Sequence, residues 1–288
     1  MDEVRPTDRL PRPGADRLRI RLTYLWRHGR LPALARPTLF NELVQDRKLR
    51  NRDARLPLLA DKVGVKAFVA DRIGSAWVIP TLWHGLMLPK RAPWPVPFVV
   101  KARHGCNQTA FVRTGAEDWP AIRRAAARWV GKTYGYWLDE WLYRHIPPGV
   151  LVEPFVGVGH DLPVDYKFFV FDGRVEFVQV HLGRERRHRW VVFDRDWRRV
   201  SGASGDPDPL RPACLPRMID AAQELGRDFD FVRVDLYAVN DRPLFGEMTF
   251  YPGSGLDRFH PVSLDMVLGA YWLRARHARP IDGALVAG

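Results

Sequence analysis

Residues 231–255 read FVRVDLYAVNDRPLFGEMTFYPGSG. The run divides into two short strands joined by a turn at Asn240-Asp241, and it ends in a Pro-Gly-Ser-Gly loop. Side chains alternate faces along a strand, so Arg233, Asp235 and Tyr237 share one face while Val232, Val234 and Leu236 share the other. The same rule groups Phe245, Glu247 and Thr249 on one face of the second strand. A hairpin that pairs the two polar faces brings an Asp and a Glu together beside an arginine and a glycine loop. Two carboxylates converging in this way are how proteins hold Mg²⁺ against a nucleotide phosphate.

The rest of the chain sets bounds on that reading. Its 288 residues suffice for one large domain or two small lobes with a full core. A hydrophobic content of 46% with 27% charged residues fits a soluble globular protein, and eleven Trp point to packed aromatic cores or a groove. The formal net charge of +12 favours anionic partners such as nucleotides, acidic glycans, nucleic acid or an anionic membrane surface, without choosing among them. The dominance of arginine among the basic residues also fits a GC-rich genome. Cys106 and Cys214 make neither a disulfide framework nor a zinc spacing. The first twenty residues lack the apolar core of a signal peptide, and no stretch approaches the ~20 apolar residues that span a bilayer. The expectation is a cytoplasmic protein.

Residues 18–36 mix Arg with Leu, Ile, Tyr and Trp. They read either as a helix docked on the domain or as a basic amphipathic surface for the inner face of an anionic membrane. Residues 37–73 look helical, with Gly74 as a stop, and Asp61-Lys62 reads as a helix start. A strand over 96–101 ends in Lys101, and a small-residue loop from His104 to Thr109 leads to a strand over 110–113. Asp118 can cap a helix running to about Lys132. A strand over 150–158 breaks at Pro154, residues 165–180 form a hairpin around Asp172-Gly173, and helices span about 215–225 and 264–275. Helices interspersed with antiparallel hairpins make the fold class α+β.

In this order the motifs resemble the ATP-grasp fold over about residues 61–255, and most closely its TupA-like branch of polysaccharide-biosynthesis proteins. They are also similar to the catalytic core of the D-alanine–D-alanine ligases. The resemblance implies two α+β lobes with ATP held between antiparallel sheets: a segment 1–60 ahead of a small lobe 61–150 and a large lobe 151–288. It implies ATP and Mg²⁺ as cofactors, and a ligase that phosphorylates a carboxylate to an acylphosphate which an amine or similar nucleophile attacks. The substrates would be small-molecule or glycan acids and amines, in cell-envelope polysaccharide or peptide-like metabolite biosynthesis. No nucleic-acid fold signature is present, so no nucleic-acid partner is expected.

The resemblance carries over residue by residue. Lys101 matches the lysine that reaches the nucleotide phosphates, with the loop 105–109 covering them through backbone amides. Lys62 matches a second nucleotide-contacting lysine. Glu153 and Phe155 fit the hinge strand beside adenine, and Asp165 aligns with the ribose-binding acid, with Lys167 facing the same cleft. Arg184 or Arg186 would reach the triphosphate. Asp235 and Glu247 match the metal acids. Thr249 stands where the family often has an asparagine, so the third ligand would be Thr249 or water. Arg233 would stabilise the acylphosphate or the oxyanion, and the amides of Gly253, Ser254 and Gly255 would bind the acceptor end. Two other readings remain open. One is a kinase on the same fold acting on a hydroxyl, with His181 or His104 as base. The other is a non-catalytic basic module for acidic glycan or membrane.

Overall fold

The computed structural model describes residues 13–159, 161–183, 188–202 and 207–279. In chain order the helices are α1 (Pro13–His28), α2 (Phe40–Arg50), α3 (Arg55–Ala60), α4 (Val65–Ile73), α5 (Trp119–Val130), α6 (Trp141–Arg144), α7 (Leu215–Gly226) and α8 (Ser263–Ala278). The strands are β1 (Trp83–Gly85), β2 (Phe98–Ala102), β3 (Thr109–Val112), β4 (Val150–Pro154), β5 (Val164–Phe171), β6 (Arg174–Leu182), β7 (Arg189–Asp194), β8 (Phe231–Val239) and β9 (Arg242–Thr249). They form two sheets in the orders β1-β4-β2-β3 and β7-β6-β5-β8-β9, with every pairing antiparallel.

Local chemistry places the turns. Asp172-Gly173 and Asn240-Asp241 all take positive φ, the left-handed pair that a tight hairpin needs and that Asp, Asn and Gly tolerate. Asp118 accepts the Ala121 amide at 2.9 Å and starts α5. The helical stretch expected over 37–73 is instead three helices. At the breaks Asp53 and Asp61 capture the amides of Arg55 and Val63, so the side chains compete with the helical ladder. Asp61-Lys62 therefore lies in a turn between α3 and α4 and does not open a helix. Strands β1 and β7 had no counterpart in the sequence reading. Each is an edge strand, and β1 is only three residues long.

One bulge decides how the opening hairpin meets its neighbours. Asp235 pairs with Glu247, but Leu236 pairs with Phe245, which leaves Gly246 as the extra residue. A Cβ at Gly246 would stand 2.9 Å from the Asp235 carbonyl oxygen, so a side chain here would crowd the backbone. The extra residue turns Phe245 into the core opposite Leu236, not onto the face of Glu247 and Thr249 where simple alternation puts it.

The five-stranded sheet holds the larger core. One face carries Phe168, Val170, Val232 and Val234 beneath α7, where Gly226 lets the helix come close to Val170 and Val232. The opposite face is divided. At one end Phe169, Phe171 and Phe231 pack under Phe40 of α2 and Trp272 of α8, with Phe40 5.0 Å from Phe231 and Phe231 4.5 Å from Trp272. At the other end Asp165, Lys167, Arg233 and Asp235 point out of the same strands. The smaller sheet packs Phe98, Val100, Val150 and Val152 against α5, with Trp83, Trp94 and Trp119 filling the periphery. Several of the tryptophans are thereby accounted for. Among the described residues no helix is long and apolar enough to cross a membrane.

Phe40 touches aromatic rings from β5, β8 and α8 at once. Phe40→Ala is expected to lower the free energy of unfolding by about 3–5 kcal/mol, read from the urea midpoint with an unchanged slope.

Candidate active site

A cleft of about 650 Å³ lies between the two sheets. Its larger wall is the polar end of the divided face. The β5–β8 register sets Lys167 opposite Asp235, and the β8–β9 register sets Asp235 opposite Glu247 and Arg233 opposite Thr249. Asp235 is 2% exposed. It accepts Arg233 Nε and Nη2, each at 2.7 Å, and also Lys167 Nζ. Lys167 Nζ lies 2.8 Å from Asp165. Arg233 Nη2 donates to Thr249 Oγ1 at 3.2 Å, and Thr249 in turn donates to Glu247 Oε1 at 3.2 Å. Burial alone would push both Lys167 and Arg233 towards neutrality, but Asp235, with Asp165 and Glu247 behind it, outweighs burial and both pKa values move upward. The wall therefore keeps its cations charged.

Glu247 differs from its neighbour. Its side chain is 35% exposed and 3.7 Å from Arg233, so its carboxylate faces the open cleft. Mg²⁺ usually takes one or two carboxylates and completes its octahedron with water and substrate phosphate. Glu247, facing the cleft, fits that donor set, and Asp235, adjacent across the ladder, would join it by sharing oxygens now held by Arg233 and Lys167. Among the described residues no three His, Cys, Asp or Glu side chains group to hold a metal alone. A cation here would thus depend on phosphate oxygens or water, and the Thr249 hydroxyl is engaged between Arg233 and Glu247.

The facing wall comes from β2, β4 and α4. Glu153 accepts Lys101 Nζ at 2.8 Å on one oxygen and Lys66 Nζ on the other. Lys66 is steadied by Thr81 Oγ1 at 2.6 Å and the Ile79 carbonyl at 2.8 Å. Burial would raise the Glu153 carboxyl, but Lys101 and Lys66 together pull it below its usual range. Of the two lysines sharing it, burial and the charge of Lys101 depress Lys66, while Glu153 keeps Lys101 firmly protonated against its own burial. Lys62 spans the cleft mouth: Nζ donates to the Gly105 carbonyl at 2.7 Å and stands 4.0 Å from Glu247.

The third side is the loop 252–257. Gly253, Ser254 and Gly255 all take positive φ, strained for Ser254. At Gly253 a Cβ would strike the Asp257 carboxylate, and at Gly255 the Asn41 carbonyl of α2. The Ser254 amide donates to Tyr251 O at 2.8 Å within the turn, so the expectation that it binds the acceptor end is corrected. The Ser254 hydroxyl is held instead between Lys48, at 2.6 Å, and Glu140. Lys48 is 3% exposed, and burial pulls its amine down to about 8 against the partial opposition of Glu140.

Most of the residues expected from the sequence line this cleft. Phe155 does not: its amide donates to Pro97 O at 3.0 Å, and its ring packs edge-on against Phe111. Arg184 and Arg186 lie outside the described residues. His104 is buried, with Nε2 against carbonyls of Trp129 and Lys132 and Nδ1 accepting the Gly149 amide, so it is a structural residue and no base. His181 lines the cleft, 2.9 Å from His188. The sequence reading missed Lys66, Lys48 and Glu140. Lys66 repeats Lys62 at helical spacing, but only the burial of Glu153 distinguishes it from a surface lysine.

A family model described as TupA-like ATPgrasp matches residues 42–273. No curated protein matches in sequence. Solved structures with a similar arrangement include the ATP-grasp ligase PsnB in complex with a minimal precursor (12% identity, 77% of this chain and 62% of that chain, TM-score 0.44). They also include the L-amino acid ligase from Bacillus licheniformis (12%, 75% and 44%, TM-score 0.43). A third is the D-alanine–D-alanine ligase from Bacillus anthracis complexed with ATP (14%, 78% and 68%, TM-score 0.44). The chain spans 62% and 44% of the length of the first two.

The Lys48 amine titrates near 8 in the folded protein and near 10.5 when unfolded. Between those values the unfolded state binds more protons, so stability rises with pH there. In urea titrations the wild type should gain about 1.4 kcal/mol per pH unit on Lys48→Met between roughly pH 8 and 10. A pH-independent difference would refute the assignment.

Proposed function

The chain belongs to the TupA-like ATP-grasp family, and from that premise we propose that it is an ATP- and Mg²⁺-dependent ligase joining a carboxylate to an amine or similar nucleophile through an acylphosphate. The observation that carries this reading is the pair of facing walls. Lys101–Glu153–Lys66 stands across the cleft from Lys167–Asp235–Arg233, with the half-exposed Glu247 beside Asp235.

In this reading Lys101 and Lys62 bind phosphate oxygens as compact point charges. Glu153 fixes the hinge edge of the site, and Asp165 holds the ribose with Lys167 beside it. Asp235 and Glu247 would hold the metal, which when bound would neutralise charge on the nucleotide phosphates. Arg233, already oriented by Asp235 and Thr249, stabilises the oxyanion that develops on the acyl carbon, and needs little reorganisation to do so. The loop 252–257 receives the acceptor through the Ser254 hydroxyl, which Lys48 and Glu140 orient. The two sheets are the candidates for the two lobes, 61–150 and 151–288, although β4 (Val150–Pro154), most of it past that boundary, belongs to the smaller sheet by its pairing with β1 and β2. We place the substrates among small-molecule or glycan acids and amines of envelope polysaccharide or peptide-like metabolite biosynthesis, handled in the cytoplasm.

Screening acid and amine pairs with ATP and Mg²⁺ should give ADP, phosphate and a joined product by mass spectrometry, and chelation of Mg²⁺ should abolish it. Hydroxylamine should trap the acylphosphate. A stable phosphorylated product would favour the kinase reading, for which His181 is the available base. Asp235→Asn leaves two buried cations short of a charge and threatens the fold. Glu247→Gln, at a partly exposed position, is the cleaner variant. It should lower turnover by about 100-fold or more, with an unchanged far-ultraviolet spectrum. Undiminished turnover in Glu247→Gln would refute the metal assignment.

A further inference from the structure

Beside the acceptor end of the cleft lies a second concavity. It is a groove of about 490 Å³ between the outer face of α1 and the segment Trp137–Leu138, with Leu256 at its inner end. Leu18, Leu22 and Trp26 recur on α1 at i, i+4 and i+8, and so line one side of the helix. That stripe faces solvent: Trp26 is 80% exposed, and Trp137 on the other wall is 71% exposed. The opposite side of α1, Ile20 and Tyr24, is buried against the domain. The apolar stripe is therefore not the face that docks the helix.

The groove is held open from both ends. Arg19 Nε donates to Asp139 at 2.8 Å, and Arg27 Nε donates to the Leu256 carbonyl at 2.9 Å. His28 Nε2 adds a 3.2 Å hydrogen bond to Gly255 O. These contacts fix α1 to both the 137–140 segment and the 252–257 loop while the apolar side chains between them remain uncovered. Arg19 is the one charged residue of the lining, and it is paired within the protein by Asp139 and Asp16. Leu138 and Leu256 line the groove and the cleft alike. The cleft at this point presents Ser254 and Glu140. The polar cleft and the apolar groove thus adjoin at two shared leucines.

We propose that this groove binds the apolar tail of an amphiphilic acceptor, a long alkyl or prenyl chain, whose nucleophilic head enters the cleft at Ser254. The proposal names the substrate class of the acceptor site and rests on the ligase reading for that site alone. The groove itself is tested without turnover. Adjacency to the cleft at Leu138 and Leu256 favours a substrate tail over a membrane surface, because a bilayer would cover Trp26 and Trp137 but has no reason to reach Leu256.

Hexyl, octyl and decyl glucosides, neutral and used below their micelle concentrations, should bind the full chain in calorimetry. Affinity should rise about four-fold for each added methylene, the ratio equivalent to about 0.8 kcal/mol. Leu22→Asp and Trp137→Asp, both at exposed positions, should abolish that dependence, while Glu247→Gln should retain it. With n-alkylamines as acceptors, KM should fall with chain length in the wild type but not in Leu22→Asp, with kcat alike in both. Affinity independent of chain length, or undiminished in Leu22→Asp, would overturn the proposal. So would binding confined to phosphatidylglycerol vesicles, which would make the stripe a membrane contact. If no pair yields ADP, the ligase reading fails while the glucoside series still decides whether the groove takes a chain.

Discussion

Asp235 and Glu153 impose the same requirement from opposite sides of the cleft. Each is a nearly inaccessible carboxylate that holds two cations, Arg233 with Lys167 and Lys101 with Lys66. A lone ion at such depth would cost several kcal/mol, and only close pairing keeps it charged. The directions of the shifts follow from that: Lys101, Lys167 and Arg233 are all raised by the acids beside them despite burial, and only Lys66, which shares its acid with Lys101, is depressed. Each wall is thus an array of charges held in place by its own ion pairs, the kind of arrangement that stabilises an anion with little reorganisation.

What holds the larger wall rigid is the packing immediately beside it. The same face of β5 and β8 carries Phe169, Phe171 and Phe231 at one end and Lys167, Arg233 and Asp235 at the other. Phe40 and Trp272 clamp the aromatic end. Arg47 ties α2 to the same end: its guanidinium lies 4.3 Å over Trp272 and donates to the Phe231 carbonyl at 2.9 Å. A loss of core packing at Phe40 would therefore reach the functional face through strands that are continuous from one end to the other.

Helix α2 is the least expected part of the molecule. Its sequence FNELVQDRKLR reads as a half-solvated helix, yet Asn41, Glu42, Gln45, Arg47 and Lys48 are all buried. Burial is sustained because each finds a partner elsewhere in the chain. Asn41 and Gln45 donate to carbonyls of Asp257, Ser254 and Gly255, Lys48 holds Ser254, and Glu42 accepts Arg30 and the Thr38 and Leu39 amides. Polar burial without those partners would be prohibitive. The result is a helix that supports the strained 252–257 loop from behind.

The sequence by itself determined whatever depends on short-range periodicity and turn chemistry. Two-residue alternation puts Arg233, Asp235 and Tyr237 on one face, Asn240-Asp241 and Asp172-Gly173 close their hairpins, and Asp118 starts α5, because those rules act over a few residues. The order of motifs groups most of the residues that line the cleft. Tertiary structure alone decided the rest. The bulge at Gly246 turned Phe245 inward, since alternation cannot foresee an inserted residue. Lys66 became a half-buried partner of Glu153 and Lys48 a buried partner of Ser254, since a lysine's burial depends on acids and hydroxyls distant in the chain. The apolar groove, too, arises only where α1, Trp137 and Leu256 are brought side by side, for no local pattern records which faces of a helix its distant neighbours will leave uncovered.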